Sequence, residues 1–401
     1  MTTRVEQSVT THSIRESTTP FHCQMCGECC SSWNIHIERA KGDYLLQQPW
    51  VLARMKETGK SLTWYQRNSY LLPQTDQQTC IFLAEDKRCL IEAHEGRDMK
   101  PLECQRYPFA AAPLPNGQIG FDASASCRTI ANHLLLTFTE IVPSASEAKE
   151  AGQSWLADFN VDEFPQRIKP KPWCLLPAQQ WQWADYEQFR QQVHTYGATE
   201  HLSAEALLYG AWRLVEASSH RWTGTVVAAS FLLPAVSPVI RPWARAWVLR
   251  WFLRKPYRSH SGWELLRGQT YHDPKIFGPA NPLDLAAVAQ MGFSDEPTVG
   301  RLRQAFMYSV LNRKIPLAFG HSMLDWLSVA TVALILVDWY AQALAWQQGA
   351  PLAEKMHMQG AIRLVERYYV GHQPAFLVRF RRNWLLGSLV RFLFAPPTSP
   401  V

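Results

Sequence analysis

The sequence predicts an α+β protein, mainly α, in which a small loop-rich N-terminal module precedes a larger helical domain. Two observations carry this. Eight of the nine cysteines fall between Cys23 and Cys127, among short elements and frequent prolines. After residue 131, apolar residues recur with helical spacing in one segment after another. A third observation, 47 % apolar residues with 17 Trp, supplies enough apolar surface for packed cores and excludes general disorder. A chain of 401 residues exceeds what one core usually serves. The expected division is a cysteine module over 21–131 and a helical domain over 132–394, with disordered tails at 1–20 and 395–401.

Along the module, Trp33-Asn34-Ile35-His36-Ile37 alternates as a strand does, and Glu38 to Leu46 reads as a helix. Pro108, Pro113 and Pro115-Asn116-Gly117 punctuate the approach to Ile119-Gly120-Phe121. Such a module has little apolar core, and a bound metal would supply folding free energy that burial does not. Beyond it, helices are expected at Asn132–Ile141, Trp181–Val193, Ala204–Ala217, Leu283–Met291, Val299–Leu311, Leu324–Leu344 and Leu352–Tyr369. Asn281-Pro282 gives a start signal and Gly292 a stop. The most apolar stretch, Leu324–Leu344, holds Asp325 and Asp338. The uncharged run between them is well short of the roughly 18–20 residues a membrane span needs, so it reads as a buried core helix with no transmembrane segment.

The cysteines carry the chemistry. An even spread would place about two of them in the Cys23–Cys127 window. Residues 1–20 lack the apolar stretch of a secretory signal, so the expectation is a reducing, cytoplasmic compartment in which thiols bind metal and disulfides do not persist. Cys23-Gln-Met-Cys26-Gly27-Glu-Cys29-Cys30 places four thiols within eight residues, and Gly27 suits the tight turn that would present them to one ion or cluster. Adjacent Cys29 and Cys30 are expected to point in different directions. Cys80, Cys89, Cys104 and Cys127 are too widely spaced to form a knuckle alone, so they must fold back onto this loop. Zinc and iron–sulfur clusters both favour thiolates. The eight candidate ligands Cys23, Cys26, Cys29, Cys30, Cys80, Cys89, Cys104 and Cys127 allow two four-cysteine zinc sites, one four-iron (4Fe–4S) cluster with spare thiols, or two clusters. Cys174 stands apart. His22, His36 and His94 are candidate extra ligands or proton carriers, and Arg106 and Tyr107 are candidates for an anion pocket.

Four further features give a family resemblance. Phe21-His-Cys23-Gln-Met-Cys26-Gly27-Glu-Cys29-Cys30 is followed by Cys80-Ile-Phe82-Leu83, by Cys89-Leu-Ile91 and by Lys100-Pro101-Leu-Glu-Cys104-Gln-Arg106-Tyr107-Pro108-Phe109. In order and spacing these resemble the YkgJ-type CxxCxxCC zinc- or iron-chelating cysteine-cluster family, which includes flagellin lysine N-methylases. Gln105 departs from the basic residue usual after that cysteine. For its methylase members the resemblance implies methyl transfer from S-adenosylmethionine to a lysine of a protein substrate, with an iron–sulfur cluster involved. The chain has neither a C-x3-C-x2-C triplet nor any G-x-G, so an S-adenosylmethionine site would be unconventional.

Two basic-aromatic segments, 241–258 and 376–394, bear on partners, since such faces contact anionic surfaces. A net charge of +6 over the chain favours a core-facing Trp stripe backed by solvated Arg. Three functions follow: a group-transfer enzyme using an iron–sulfur cluster, a zinc-stapled interaction module, or a redox and electron-transfer protein. The enzyme needs a cavity, the staple a closed tetrahedral site, and the redox protein a cluster near the surface.

Overall fold

The computed structural model describes residues 24–31, 35–65, 68–77, 79–113, 119–133, 174–176, 179–180, 183–197, 270–271, 283–313 and 323–370, with single helical positions at 204, 207, 208, 211 and 249. The protein is mainly helical with a small loop-rich N-terminal region. The chain forms two compact units. Among the described residues the first comprises 24–110 and 127–130, and the second 111–126, 131–133 and the described residues from 174 onward.

The first unit is built on a three-stranded antiparallel sheet of β1 (His36–Glu38), β2 (Thr63–Tyr65) and β3 (Ser69–Leu71), with β3 in the middle. Helix α1 (Arg39–Leu45) follows β1 directly. Helix α2 (Pro49–Thr58) starts with proline at its first turn, where no backbone N–H is needed, and stops at Gly59 in the left-handed region. Gly42 lies buried in α1 under the Tyr70 ring, so close that a methyl group there would run into the ring carbons. Tyr70 completes this α1–β3 contact by donating its hydroxyl to Asp43 at 2.5 Å. Two short helices, α3 (Leu90–Glu95) and α4 (Leu102–Arg106), close the unit. Its core consists of Ile35, Ile37, Leu45, Val51, Leu62, Leu72, Cys80, Ile81, Phe82 and Ile91, with Trp50, Met55, Tyr70 and Met99 packed against it. The unit therefore has a real apolar centre, which the loop-rich sequence did not suggest, because residues supplied singly by short elements meet there.

Next in the chain, β4 (Phe109–Pro113) and β5 (Ile119–Ala123) form a two-stranded sheet, and α5 (Arg128–His133) follows. The expected helix at Asn132–Ile141 is met by the end of α5, which starts four residues earlier; 134–141 lie outside the described residues.

The second unit is organised by one long helix. In chain order its described elements are the β6 (Cys174–Leu176) and β7 (Gln179–Gln180) pair, α6 (Trp183–Gly197), the β8 (Thr270–Tyr271) and β9 (Leu283–Asp284) pair, and α7 (Leu285–Gln290). Then come β10 (Gly292–Phe293), α8 (Pro297–Leu311), α9 (Met323–Gln347), β11 (Leu352–Ala353), parallel to β10, and α10 (Lys355–Val365), which runs into a π-helical turn at Glu366–Val370. Helix α9 packs against α10, α7, α8 and β11. Every residue from Trp326 to Ala343 is buried. The span Trp326–Gln347 has the length and hydropathy of a membrane helix, yet 94 % of its apolar window is buried inside the fold. Its polar atoms find partners: Trp326 donates its indole N–H to the Val310 carbonyl at 2.7 Å, Asp338 takes both arms of Arg303 at 2.8 and 2.9 Å, and the Tyr340 and Tyr369 hydroxyls meet at 2.9 Å.

Differences from the periodicity lie at element ends. Leu283–Asp284 pairs as a strand with Thr270–Tyr271, so that helix begins at Leu285, where the Asp284 carboxylate accepts the Ala286 and Ala287 N–H groups at 2.9 and 3.1 Å. Leu352–Ala353 pairs with β10, so α10 begins at Lys355 under a capping box of Glu354 and His357. The basic-aromatic segments at 241–258 and 376–394 lie outside the described residues, Leu249 apart.

Candidate metal centre

The cysteine loop is set by its backbone. Met25 and Gly27 both occupy the left-handed region, at φ 49° and 73°, and a 3₁₀ turn spans Glu28–Cys30. Cys30 N–H closes it onto the Gly27 carbonyl at 3.0 Å. Glycine is the residue that takes this φ without strain, and here a side chain would also press on Leu83 and Lys87. In the turn, the Cys29 and Cys30 sulfurs converge to 3.9 Å. They do not diverge as adjacent residues in an extended strand would, because neighbours in a 3₁₀ turn are separated by roughly 120° and flexible χ1 angles close the rest.

The distant cysteines do fold back onto this loop. Ser31 bridges Thr79, and Cys80 N–H donates to the Cys30 carbonyl at 2.7 Å, so the second cysteine segment is stitched to the first through the main chain. Residues 83–89 then form a tight reversal: Leu83 bridges Cys89, Ala84 N–H bonds Arg88 O at 2.9 Å, and Leu90 N–H bonds Phe82 O at 2.8 Å. Cys89 sits at the N-cap of α3, and Cys104 lies within α4. Cys80 is part of the unit's core, and Cys30, Cys89 and Cys104 pack against it.

Electrostatics sort the thiols into neighbours. Cys29, Cys80, Cys89 and Cys104 lie near enough for their charges to act on one another. Cys127 has Cys26 as its charged neighbour, and its next residue, Arg128, reaches Glu28 of the loop at 2.6 Å. The hydrogen bond to Cys30, with burial behind it, raises the Cys29 thiol far above its ordinary value, and Lys100 opposes this. Burial pushes Cys80 up to about 12; Cys89 and Cys29 add to the rise, while a hydrogen bond from the Phe82 backbone and the Arg54 charge oppose it. Arg54 is held there by its 2.7 Å hydrogen bond to the Ile81 carbonyl. Burial, then Cys80, drives Cys104 upward. Burial likewise lifts Cys127 to about 11 against hydrogen bonds from Ile130 and Thr129.

These shifts bear on what the donor set fits. Buried thiols crowded together resist ionisation because each thiolate raises the cost of the next, and a bound cation removes that cost and becomes the largest local charge. All seven described cysteines of the set are free thiols. Among the described residues no three Cys, His, Asp or Glu side chains are already set to hold a single ion.

Residues 22–128 match the family model CxxCxxCC, described as a zinc- or iron-chelating domain. This segment is a CxxCxxCC domain. Comparison of the chain with curated proteins and with solved structures gave no match. Within the domain, Cys26, Cys29, Cys30, Cys80, Cys89, Cys104 and Cys127 are described, while Cys23 and His22 lie outside the described residues.

Of the other candidates, Arg106 ends the helix that carries Cys104 and Tyr107 caps it. His36 lies on β1 with its ring 4.4 Å from that of Tyr65, and exposed His94 stacks on Trp50 at 4.5 Å and 16°. Gln105 clips two carbonyls with its amide, Asp98 O at 3.0 Å and Lys100 O at 2.8 Å. The residue that spacing did not single out is Lys100, whose charge acts on Cys29, Cys89 and Cys104. The available signal was its place four residues before Cys104.

Proposed function

We propose that the CxxCxxCC domain holds an iron–sulfur centre on Cys29, Cys80, Cys89 and Cys104, in a reducing cytoplasmic setting. The observation that carries this reading is that four thiols, Cys80 buried and the other three half-buried, are brought near one another by four separate segments: the 3₁₀ turn, the strand-like return at 79–80, the N-cap of α3 and α4. A four-iron cluster takes one thiolate per iron from different directions, and its potential is tuned by the burial found here. When bound, such a group supplies one-electron chemistry. The chain's own residues fix the sulfurs, exclude water through the Ile81–Phe82–Ile91 core, and place Lys100 and Arg54 as fixed positive charges beside them.

One distance favours a second reading. Tetrahedral zinc with Zn–S near 2.3 Å sets its sulfurs roughly 3.8 Å apart, and Cys29 and Cys30 already stand at 3.9 Å. A structural zinc using both is therefore the alternative.

Anaerobic purification with metal and acid-labile sulfide analysis separates the two. Iron with stoichiometric sulfide and absorption near about 400 nm supports the cluster, whereas colourless protein with one or two zinc ions would replace it with the staple. The family resemblance adds methyl transfer from S-adenosylmethionine to a protein lysine. Equilibrium dialysis of the iron-loaded chain against S-adenosylmethionine tests this part, and absence of saturable binding ends it.

A further inference from the structure

Four thiolates around a divalent ion, or around the doubly positive core of a four-iron cluster, leave two negative charges in a poorly hydrated pocket. An uncompensated charge of that size is costly in a low-dielectric interior. A counter-charge is therefore expected close by, on a residue held rigidly.

Lys100 has these properties. Its backbone is pinned from three sides: its N–H donates to Arg97 O at 3.0 Å, and its carbonyl accepts from Gln105 Nε2 at 2.8 Å and from Lys41 Nζ at 2.9 Å. Its side chain is only 16 % exposed and ends in a 2.7 Å ion pair with Glu92, itself 43 % exposed. Glu92 belongs to α3, whose N-cap is Cys89, and Lys100 lies just ahead of α4, which carries Cys104. The pair thus spans the two elements that deliver those thiols. Burial works against the ammonium, and the hydrogen bond and ion pair with Glu92 offset it, with thiolates at Cys89 and Cys104 adding to this once they ionise.

Resting on the reading that these thiols hold a metal, we propose that Lys100 is the built-in counter-ion of the thiolate centre and that Glu92 attenuates it, so that the pair sets how tightly the centre is held. Lys100 is a positioning and electrostatic residue, not a ligand.

The two partners have opposite charge, so an electrostatic role requires opposite effects from their removal. Titration of the full-length apo-chain with Co²⁺, followed by thiolate-to-metal absorption and calibrated by a competing chelator, reads affinity whether the native metal is zinc or iron. Lys100→Met is expected to weaken binding about tenfold or more, the scale of one unit charge at short range in a protein interior, Lys100→Arg to restore most of it, and Glu92→Gln to tighten binding. Weakening by both Lys100→Met and Glu92→Gln would reduce the pair to a mechanical clamp and overturn the proposal, as would an unchanged affinity in Lys100→Met. If Lys100→Met does not fold, the sign of the Glu92→Gln effect decides. Wild-type chain that takes up no Co²⁺ would instead defeat the metal reading itself.

Discussion

The two units bury apolar surface in very different ways. The first gathers ten core side chains from short elements and leaves Trp64 at 56 %, Tyr65 at 46 % and Leu52 at 50 % exposure. The second hides an unbroken run from Trp326 to Ala343. Their ion pairs differ in the same sense. Arg313 and Glu366 are 6 % and 0 % exposed, whereas Arg39–Asp43, Lys60–Asp76 and Arg88–Asp86 face water. The second unit is held by packing, and the first sets Cys80 within its small core with Cys30, Cys89 and Cys104 packed against it. A fold of the latter kind draws stability from whatever the thiols bind.

Metal removal should break this comparison most strongly. Stripping the protein with a chelator is expected to destabilise the first unit by an amount on the order of 10 kcal/mol, the scale of structural thiolate sites, and to leave the second unit's transition in place. Chemical denaturation monitored by Trp fluorescence, with and without metal, checks this. The pH dependence has a fixed sign. With Cys80 raised to about 12 and Cys127 to about 11, these two thiols are protonated at neutral pH. Loading must then release protons, and affinity must rise with pH, as a weakly buffered metal titration would register.

The next effect belongs to the other unit. Trp326→Ala removes a fully buried indole and its bond to Val310 O, and should cost about 3–5 kcal/mol without changing metal content. A smaller effect tests packing around α1. Glycine to alanine inside a helix ordinarily stabilises by roughly 0.5–1 kcal/mol, but Gly42→Ala is expected to destabilise, by about 1–3 kcal/mol, because the methyl meets the Tyr70 ring. Smallest of all, Arg128→Ala breaks a half-exposed pair with Glu28 and should cost less than about 1 kcal/mol. A larger loss of metal in that variant would show that the pair holds Cys127 near Cys26.

Much of this was legible in the sequence, for reasons that differ by element. The period over Val299–Leu311 announces α8, and the apolar run 326–337 announces α9, because long elements repeat their period. The loop could be read from Gly27, where the conformation demands that residue. Helices α3 and α4, of six and five residues, are too short to show a period, and strands of two or three residues alternate too briefly to count. The spacing named the thiols but not their neighbours. That Cys127 lies near Cys26 while Cys104 lies near Cys80 is decided by tertiary contacts such as Arg128–Glu28 and the Cys80–Cys30 backbone bond. Lys100 stood in the motif without a role for the same reason, since its partner Glu92 lies eight residues earlier on α3.

Helix α9 also bears on how the chain is made. A ribosome releases it before α10, the element that covers much of its surface. At roughly 5–20 residues per second, the most apolar segment of the protein is newly synthesised and uncovered for a few seconds. During that interval it has the appearance of a membrane span to chaperones and insertion machinery. Asp338 then has a second use: until it closes on Arg303 of α8, it is a full charge in the middle of that segment, and it weighs against entry into a bilayer.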